Sequence, residues 1–295
     1  MMIINEIIDK SKNILSFEMR HKLQLFLARH PYMKPNFIIH KENPAHYINF
    51  FYDMLDKLDI DSFENKTLLE VGAGQYLLNA FLEYQMGSKK VFLIDIDDLA
   101  HSNRLARDYV SPYIDLMDEK RKKQNLPTID SNGTIISQLK KINAEYLTEG
   151  SNSYKKIEDK SIDFIYSNTV LQHIRRNIFD YTISEMARVI KPGGIMYHSV
   201  DLKDMLGGKK RHLEVPTEVW EDDNHYAMAC YTNRLQCNEM CNMFEKNGFI
   251  IRELERDFFH DKPVERLLCD QYKHIEDEEL YTERFRIIIE KKWAV

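Results

Sequence analysis

The 295-residue chain has no uninterrupted apolar stretch of the ~18 residues or more that a membrane-spanning helix needs. Membrane insertion is therefore not expected. Its N-terminus does not look like a secretory leader, because Asn5, Glu6 and Asp9 interrupt the apolar residues. Cysteine is scarce: the four present include no C-x-x-C pair, and Cys237 and Cys241 are spaced one helical turn apart. Buried, reduced thiols and a cytoplasmic location are the expectation. An excess of positive charge is also missing. The 41 Lys and Arg against 47 Asp and Glu give a formal net charge of −6, which disfavours a general nucleic-acid binder. The basic run Lys120, Arg121, Lys122, Lys123 reads as a solvated helix face, and Lys209, Lys210, Arg211 as a loop able to meet an anionic substrate. There is no internal repeat. What is present suffices for one large α/β domain with additions, since 43% of the residues are hydrophobic.

Residues 67–75 read T-L-L-E-V-G-A-G-Q, a short apolar run that ends in an acid and two glycines. Such a run fits a buried parallel strand, with Gly72, Ala73 and Gly74 forming the turn into a helix over 77–84. A turn without Cβ atoms lets a ligand approach the backbone and leaves a helix N-terminus open to it. A second run, V-F-L-I at 91–94, ends in Asp95, Ile96 and Asp97, where a carboxylate can accept both hydroxyls of a ribose. The glycines decide among adenosine cofactors. A dinucleotide fingerprint has a third glycine where this chain has Leu77, and Glu70 stands where it would repel a phosphate. An acid there suits a cation, and S-adenosylmethionine carries a sulfonium and an ammonium but no phosphate. Alone, the turn is also what an ordinary strand-to-helix connection looks like.

Later segments extend the pattern. Asn143, Ala144 and Glu145 follow a possible third strand; S-I-D-F-I-Y-S at 161–167 is a fourth, leading into N-T-V-L-Q-H-I at 168–174. A helix over 180–190 is stopped by K-P-G-G at 191–194, and 195–200 is a fifth strand. In this order the motifs resemble the class I S-adenosylmethionine-dependent methyltransferases. The resemblance covers about residues 66–200. It implies a doubly wound, seven-stranded, mostly parallel sheet, a Rossmann-like α/β fold whose last strand is antiparallel. Phe249 to Phe258 and Arg284 to Lys291 would be the final two strands, after a helix over 233–247. It also implies cofactor contacts from Glu70, Gly72, Ala73, Gly74, Asp95, Ile96, Asn143, Ala144 and Ser167. Many members carry a further glycine where this chain has Tyr76, a difference that would narrow the methionine end of the pocket.

The rest of the chain is divided around that core. Residues 1–60 show helical spacing, as in Ile4, Ile7, Ile8 and again Phe50, Phe51, Met54, Leu55, Leu58, and are expected to form a helical N-terminal cap beside the cofactor. Residues 61–295 form the cofactor-binding domain, with lid insertions at about 98–138 and 201–232. The second insertion leaves the carboxyl end of strand five, where open α/β sheets bind ligands, and is the expected acceptor pocket.

Methyl transfer is an in-line displacement, so catalysis is mostly proximity and exclusion of water. A hydroxyl acceptor must also lose a proton, and a base helps. His198, Asp201 and Asp204 fall in H-S-V-D-L-K-D at 198–204. His198 is either that base or a structural histidine under the lid, and Asp201 either assists or caps the next turn. His173 is a further catalytic candidate, or it pins the start of a helix. H-S-V-D-L-K-D, a lid with Trp220, and Y-T-N-R-L at 231–235 together resemble methyltransferases encoded with bacterial surface-polysaccharide synthesis, although members usually have a histidine where this chain has Met205. That narrower likeness implies a sugar or another small polar acceptor, phosphorylated or nucleotide-linked, bound by Asp204, Trp220, Tyr231 and Arg234. Arg234 would hold an anion bidentately or form a salt bridge. No metal is expected, because oxygen-rich metal sites show more carboxylates. N-methylation of a small molecule, a nicotinamide-dependent oxidoreductase and a silent cofactor-binding module are the alternatives.

Overall fold

The computed structural model describes residues 45–74, 76–100, 132–205, 208–226, 231–264 and 266–293. The expected helix around Ile4 to Ile8, the basic run 120–123 and most of the first insertion lie outside these residues.

Seven strands form one sheet in the order β3-β2-β1-β4-β5-β7-β6. They are β1 (Thr67–Val71), β2 (Lys90–Ile94), β3 (Ala144–Leu147), β4 (Ile162–Asn168), β5 (Ile190–Asp201), β6 (Phe249–Phe258) and β7 (Thr282–Lys291). β1 to β5 pair in parallel, and β7 runs antiparallel to both neighbours. This is the doubly wound, mostly parallel arrangement the motif order implies. Successive crossovers run outward from β1 to β3 and, on the other side, from β4 to β5. The switch point therefore lies between β1 and β4, and its crevice opens at their carboxyl ends.

Helices cover both faces, which is why the strands read as continuous apolar runs. On one face α1 (Ala45–Leu58) and α2 (Leu78–Gln85) bury Phe51, Met54, Leu55, Phe81 and Leu82 against Leu68, Tyr166 and Tyr197. The expected apolar spacing of residues 50–58 thus supplies a packing stripe on the sheet. After the short α3 (Ile135–Lys141), the other face carries α4 (Arg176–Val189) and, beyond the small helices α5 (Thr217–Trp220) and α6 (Asp223–Tyr226), α7 (Cys237–Lys246). There Phe179, Ile183, Met240 and Phe244 pack on Leu69, Ile165 and Met196. A last short helix, α8 (Asp277–Tyr281), leads into β7.

Three boundaries differ from the sequence reading. Asn143 does not follow β3 but precedes it: with φ 53° it is the left-handed residue that ends α3, and its Nδ2 donates to the Lys89 carbonyl at 2.6 Å. The K-P-G-G run lies within β5, which starts as soon as α4 ends at Val189, and Gly193 in it takes φ +76°. Its residues bulge between the pairs Ile162 with Ile190 and Phe164 with Ile195. α7 starts at Cys237, later than expected, because the Asn233 side chain is tied to the carbonyls of Leu171 and Ile174 and Arg234 takes φ 59°. Gln236 then caps the helix, its N–H donating to Glu239.

Candidate active site

Gly72 and Gly74 take φ +76° and +66°, conformations that glycine adopts without strain. Their surroundings differ. A Cβ on Gly72 would lie 2.1 Å from Cγ2 of Val170, so the loop after β4 rests directly on this turn, whereas a Cβ on Gly74 would meet nothing within 4 Å. The first glycine serves close packing across the switch point and the second leaves open space where a ligand can lie. Leu77, at the third dinucleotide position, is buried in the left-handed conformation with φ 53°, at a cost of ~1 to 2 kcal/mol.

The turn's donors are already used. Gly72 and Ala73 N–H donate to the Ile94 carbonyl at 2.8 and 3.2 Å. Gly74 N–H donates to Asp95 Oδ2 at 2.8 Å. A pyrophosphate would find no free N–H in this stretch, which strengthens the argument against a dinucleotide. Asp95 accepts a second bond, from the Ile96 N–H at 2.7 Å, and the carboxylate oxygens keep lone pairs for ribose hydroxyls. Beside it Ile96 is 61% exposed, an apolar side chain at the mouth of the crevice able to cover an adenine face. The open Gly74, the Asp95 acceptor and the bare Ile96 fit an adenosine with no phosphate. Glu70 stands behind the turn, buried, accepting from Asn79 Nδ2 at 2.6 Å, and burial pushes it up to about 8.

Three expected cofactor contacts are elsewhere. Asn143 and Ala144 belong to the amino end of β3, where Ala144 pairs with Val91, at the opposite pole of the sheet from the turn. The pattern N-A-E occurs at the right place in the chain, but a strand starts there rather than ends. Ser167 lies on the α4/α7 face, fully buried, with its Oγ 2.7 Å from His198 Nδ1.

His198 shares that face. It is fully buried, stacks on Phe244 at 5.6 Å between ring centroids, and burial lowers it to about 3. It points into the core beneath α7 and away from the crevice, so of its two roles the geometry favours the structural one. Asp201 ends β5, accepts from the Lys203 N–H at 2.9 Å and pairs with Lys203 and Arg284, which is a cap. Asp204 is buried, accepting from the Arg211 N–H at 3.1 Å.

His173 is different. It ends the 3-10 turn Leu171–His173, next to Val170 and hence to the glycine turn. Its Nδ1 lies 2.7 Å from the Tyr231 carbonyl. A carbonyl only accepts, so Nδ1 carries the proton and Nε2 keeps the lone pair. Burial holds His173 below its ordinary value, which favours the neutral imidazole.

The lid residues mostly hold one another. Trp220 is fully buried, and its Nε1 donates to the Thr232 carbonyl at 2.6 Å. Tyr231 donates its hydroxyl to Glu221 at 2.8 Å and accepts from the Arg176 N–H. Arg234 lies inside, donating to the Val215 carbonyl at 2.9 Å and flanked by the rings of Trp220 and Tyr272, with Glu221 at 3.6 Å. This is the salt-bridge alternative; the guanidinium does not face the crevice. Lys210 also turns inward. Its Nζ donates to Gln236 and to the Glu279 carbonyl at 2.7 and 2.6 Å, and burial lowers it to about 7. Leu213 packs with Val264, Tyr272 and Leu280, so the connection between β6 and β7 packs against the second insertion. Sequence reasoning missed that contact, the wedge made by Val170, and Glu83. A charged residue inside the apolar α2 sequence L-N-A-F-L-E-Y-Q was the available signal for the last.

A doubly wound sheet with a glycine turn at its switch point and an acid closing β2 is a site for an adenosine-containing cofactor, and Leu77 in place of a third glycine separates it from the dinucleotide fingerprint. The family described as "Methyltransferase domain" matches residues 40–254, and the chain belongs to it. S-adenosylmethionine is its methyl donor. No curated protein matches the sequence. Similar solved structures include an S-adenosylmethionine-dependent methyltransferase from Methanosarcina mazei, 17% identical, covering 81% of this chain and 98% of that one with a TM-score of 0.47. Another, from Mesorhizobium loti, is 12% identical, covering 81% and 97%, with a TM-score of 0.45. Phosphoethanolamine N-methyltransferase 2 from Haemonchus contortus, in complex with S-adenosyl-L-methionine, is 14% identical, covering 83% and 53%, with a TM-score of 0.47.

Proposed function

We propose that this methyltransferase acts on a hydroxyl of a small polar acceptor, sugar-containing or phosphorylated, of the kind used as a precursor of bacterial surface glycans, and that His173 is its base. The donor supplies an electrophilic methyl group. The protein's task is to hold the acceptor in line, exclude water and take up the hydroxyl proton. One observation carries the reading: Nδ1 of His173 is fixed by the Tyr231 carbonyl, so Nε2 is the unprotonated nitrogen, with only a long 3.5 Å contact to the Gln172 amide for an acceptor hydroxyl to displace. A fixed tautomer with an unprotonated nitrogen is what general-base catalysis asks for.

The acceptor class rests on the H-S-V-D-L-K-D segment, which runs from the end of β5 into the second insertion, and on the Y-T-N-R-L segment, which leads from that insertion to α7. In this reading the second insertion, together with residues 259–281, encloses the acceptor. No helix among the described residues is long and apolar enough to cross a membrane.

A panel of sugars, nucleotide-sugars, phosphorylated small molecules and small amines incubated with S-adenosylmethionine, read by mass for one added methyl, tests the reading. Product from a hydroxyl acceptor, lost in His173→Gln, supports it. Product from amines alone would move the assignment to N-methylation.

A further inference from the structure

The turn that carries His173 is gripped by one buried side chain. Within itself the turn Leu171–His173 is held by the His173 N–H on the Val170 carbonyl at 2.8 Å and the Ile174 N–H on the Leu171 carbonyl at 3.3 Å. Bonds of this 3-10 type have poor geometry, so a turn this short is weakly held by them. Asn233, fully buried, supplies the rest. Its Nδ2 donates to the Leu171 carbonyl at 2.8 Å and to the Ile174 carbonyl at 2.9 Å, and its backbone N–H donates to the Gln172 carbonyl at 2.7 Å. Its Oδ1 accepts from the Leu235 N–H at 3.1 Å. The carbonyls on both sides of His173 are thus bound by one residue, and both hydrogens of its amide are used.

Asn233 also lies two residues from Tyr231, whose carbonyl meets His173 Nδ1 at 2.7 Å. The segment 231–233 has other anchors: the Tyr231 hydroxyl meets Glu221 and the Arg176 N–H, and the Thr232 carbonyl accepts from Trp220 Nε1. Of all these, only Asn233 joins the two sides of the bond between His173 and Tyr231. That bond decides the tautomer. A neutral histidine free in water favours the proton on Nε2, the nitrogen a base must keep open, and an acceptor at Nδ1 reverses the preference. The carbonyl does so only while it stays within ~3.2 Å and nearly in line with the N–H, so a relative shift of about 1 Å between turn and segment would release it.

We propose that Asn233 is a positioning residue for the transfer step: by clamping the 3-10 turn to the segment 231–233 it keeps the Tyr231 carbonyl on Nδ1 and so keeps Nε2 of His173 unprotonated. The inference rests on His173 being the base. Asn233 touches neither donor nor acceptor in this role, and its effect reaches the chemistry only through the imidazole. A wrong tautomer leaves the histidine in place but unable to take the proton.

Nitrogen NMR of the full chain with isotope-labelled histidine reads the tautomer without any acceptor, at about pH 8 where the ring is neutral. The His173 signals are identified by their loss in His173→Gln. The wild type should show a protonated Nδ1 and an unprotonated Nε2. In Asn233→Ala the two signals should move toward each other as the proton redistributes to Nε2. Asn233→Asp, of the same size but with one side-chain donor at most, should shift them in the same direction and serves if the alanine variant does not fold. Trp220→Phe controls for general loosening: it takes a bond from the Thr232 carbonyl in the same segment and should leave the His173 tautomer as in the wild type. A wild-type tautomer in the folded Asn233 variants, or an equal change in Trp220→Phe, overturns the inference while leaving His173 as the base. A proton on Nε2 in the wild type refutes the base reading itself.

Discussion

His198→Phe distinguishes a base from a core residue. In the wild type the imidazole is fully buried, lowered to about 3 against an ordinary value of 6.5. The unfolded chain therefore binds a proton that the folded chain refuses, and this contribution to stability is full above pH 6.5 and declines as pH falls toward 3. Between pH 7 and pH 4.5 the loss is ~2.7 kcal/mol, two units at ~1.36 kcal/mol each. Phenylalanine keeps a ring against Phe244 but leaves the Ser167 hydroxyl unpaired, at a cost of ~1 to 3 kcal/mol at neutral pH. Urea unfolding of both proteins at pH 7 and 4.5 should show the variant weaker at neutral pH and losing ~2.7 kcal/mol less on acidification. Taking the difference cancels the carboxylates common to both proteins. Identical pH dependence would refute the buried, neutral placement. Turnover in the folded variant provides the second criterion: a loss of ~10² or more with stability accounted for would return His198 to the chemistry.

His173→Gln should lower turnover by ~10² to 10⁴ with S-adenosylhomocysteine affinity nearly unchanged; normal turnover removes it as the base. In the wild type, kcat/KM should fall on the acid side with a midpoint below 6.5, because burial lowers His173 and only its neutral form accepts a proton. Gly72→Ala drives a Cβ into Val170 and should unfold or badly destabilise the chain, whereas Gly74→Ala has room and should cost ~1 to 2 kcal/mol of stability while weakening donor binding; thermal melts with and without S-adenosylhomocysteine separate the two. Asp95→Ala should weaken donor binding by ~1.5 to 3 kcal/mol, measured by calorimetry, and unchanged affinity would exclude it from the site.

The parts of the fold that were legible are those with a local signature. β1, β2 and β4 appear as apolar runs, and the glycine turn and Asp95 lie at their ends because the ends of parallel strands are where the chain must turn. Facing was not legible. With helices on both sides, β4 and β5 carry apolar residues on both faces, and nothing in the period of two assigns Ser167 and His198 to the α4/α7 face and Tyr166 and Tyr197 to the other. A shift of one residue would have aimed His198 differently. Asn143 misled for a related reason, since the same three letters can end one element or begin the next. The Tyr231 carbonyl that sets the His173 tautomer is backbone and leaves no mark in composition.

The second insertion and the connection between β6 and β7 are tied together through a buried side chain. Lys210 comes from the first and is held by Gln236 and by the Glu279 carbonyl of the second. An exchange of residues 208–215 that loses Lys210 strands a buried amide oxygen and a buried carbonyl without their donor, so the two segments have to be re-engineered together.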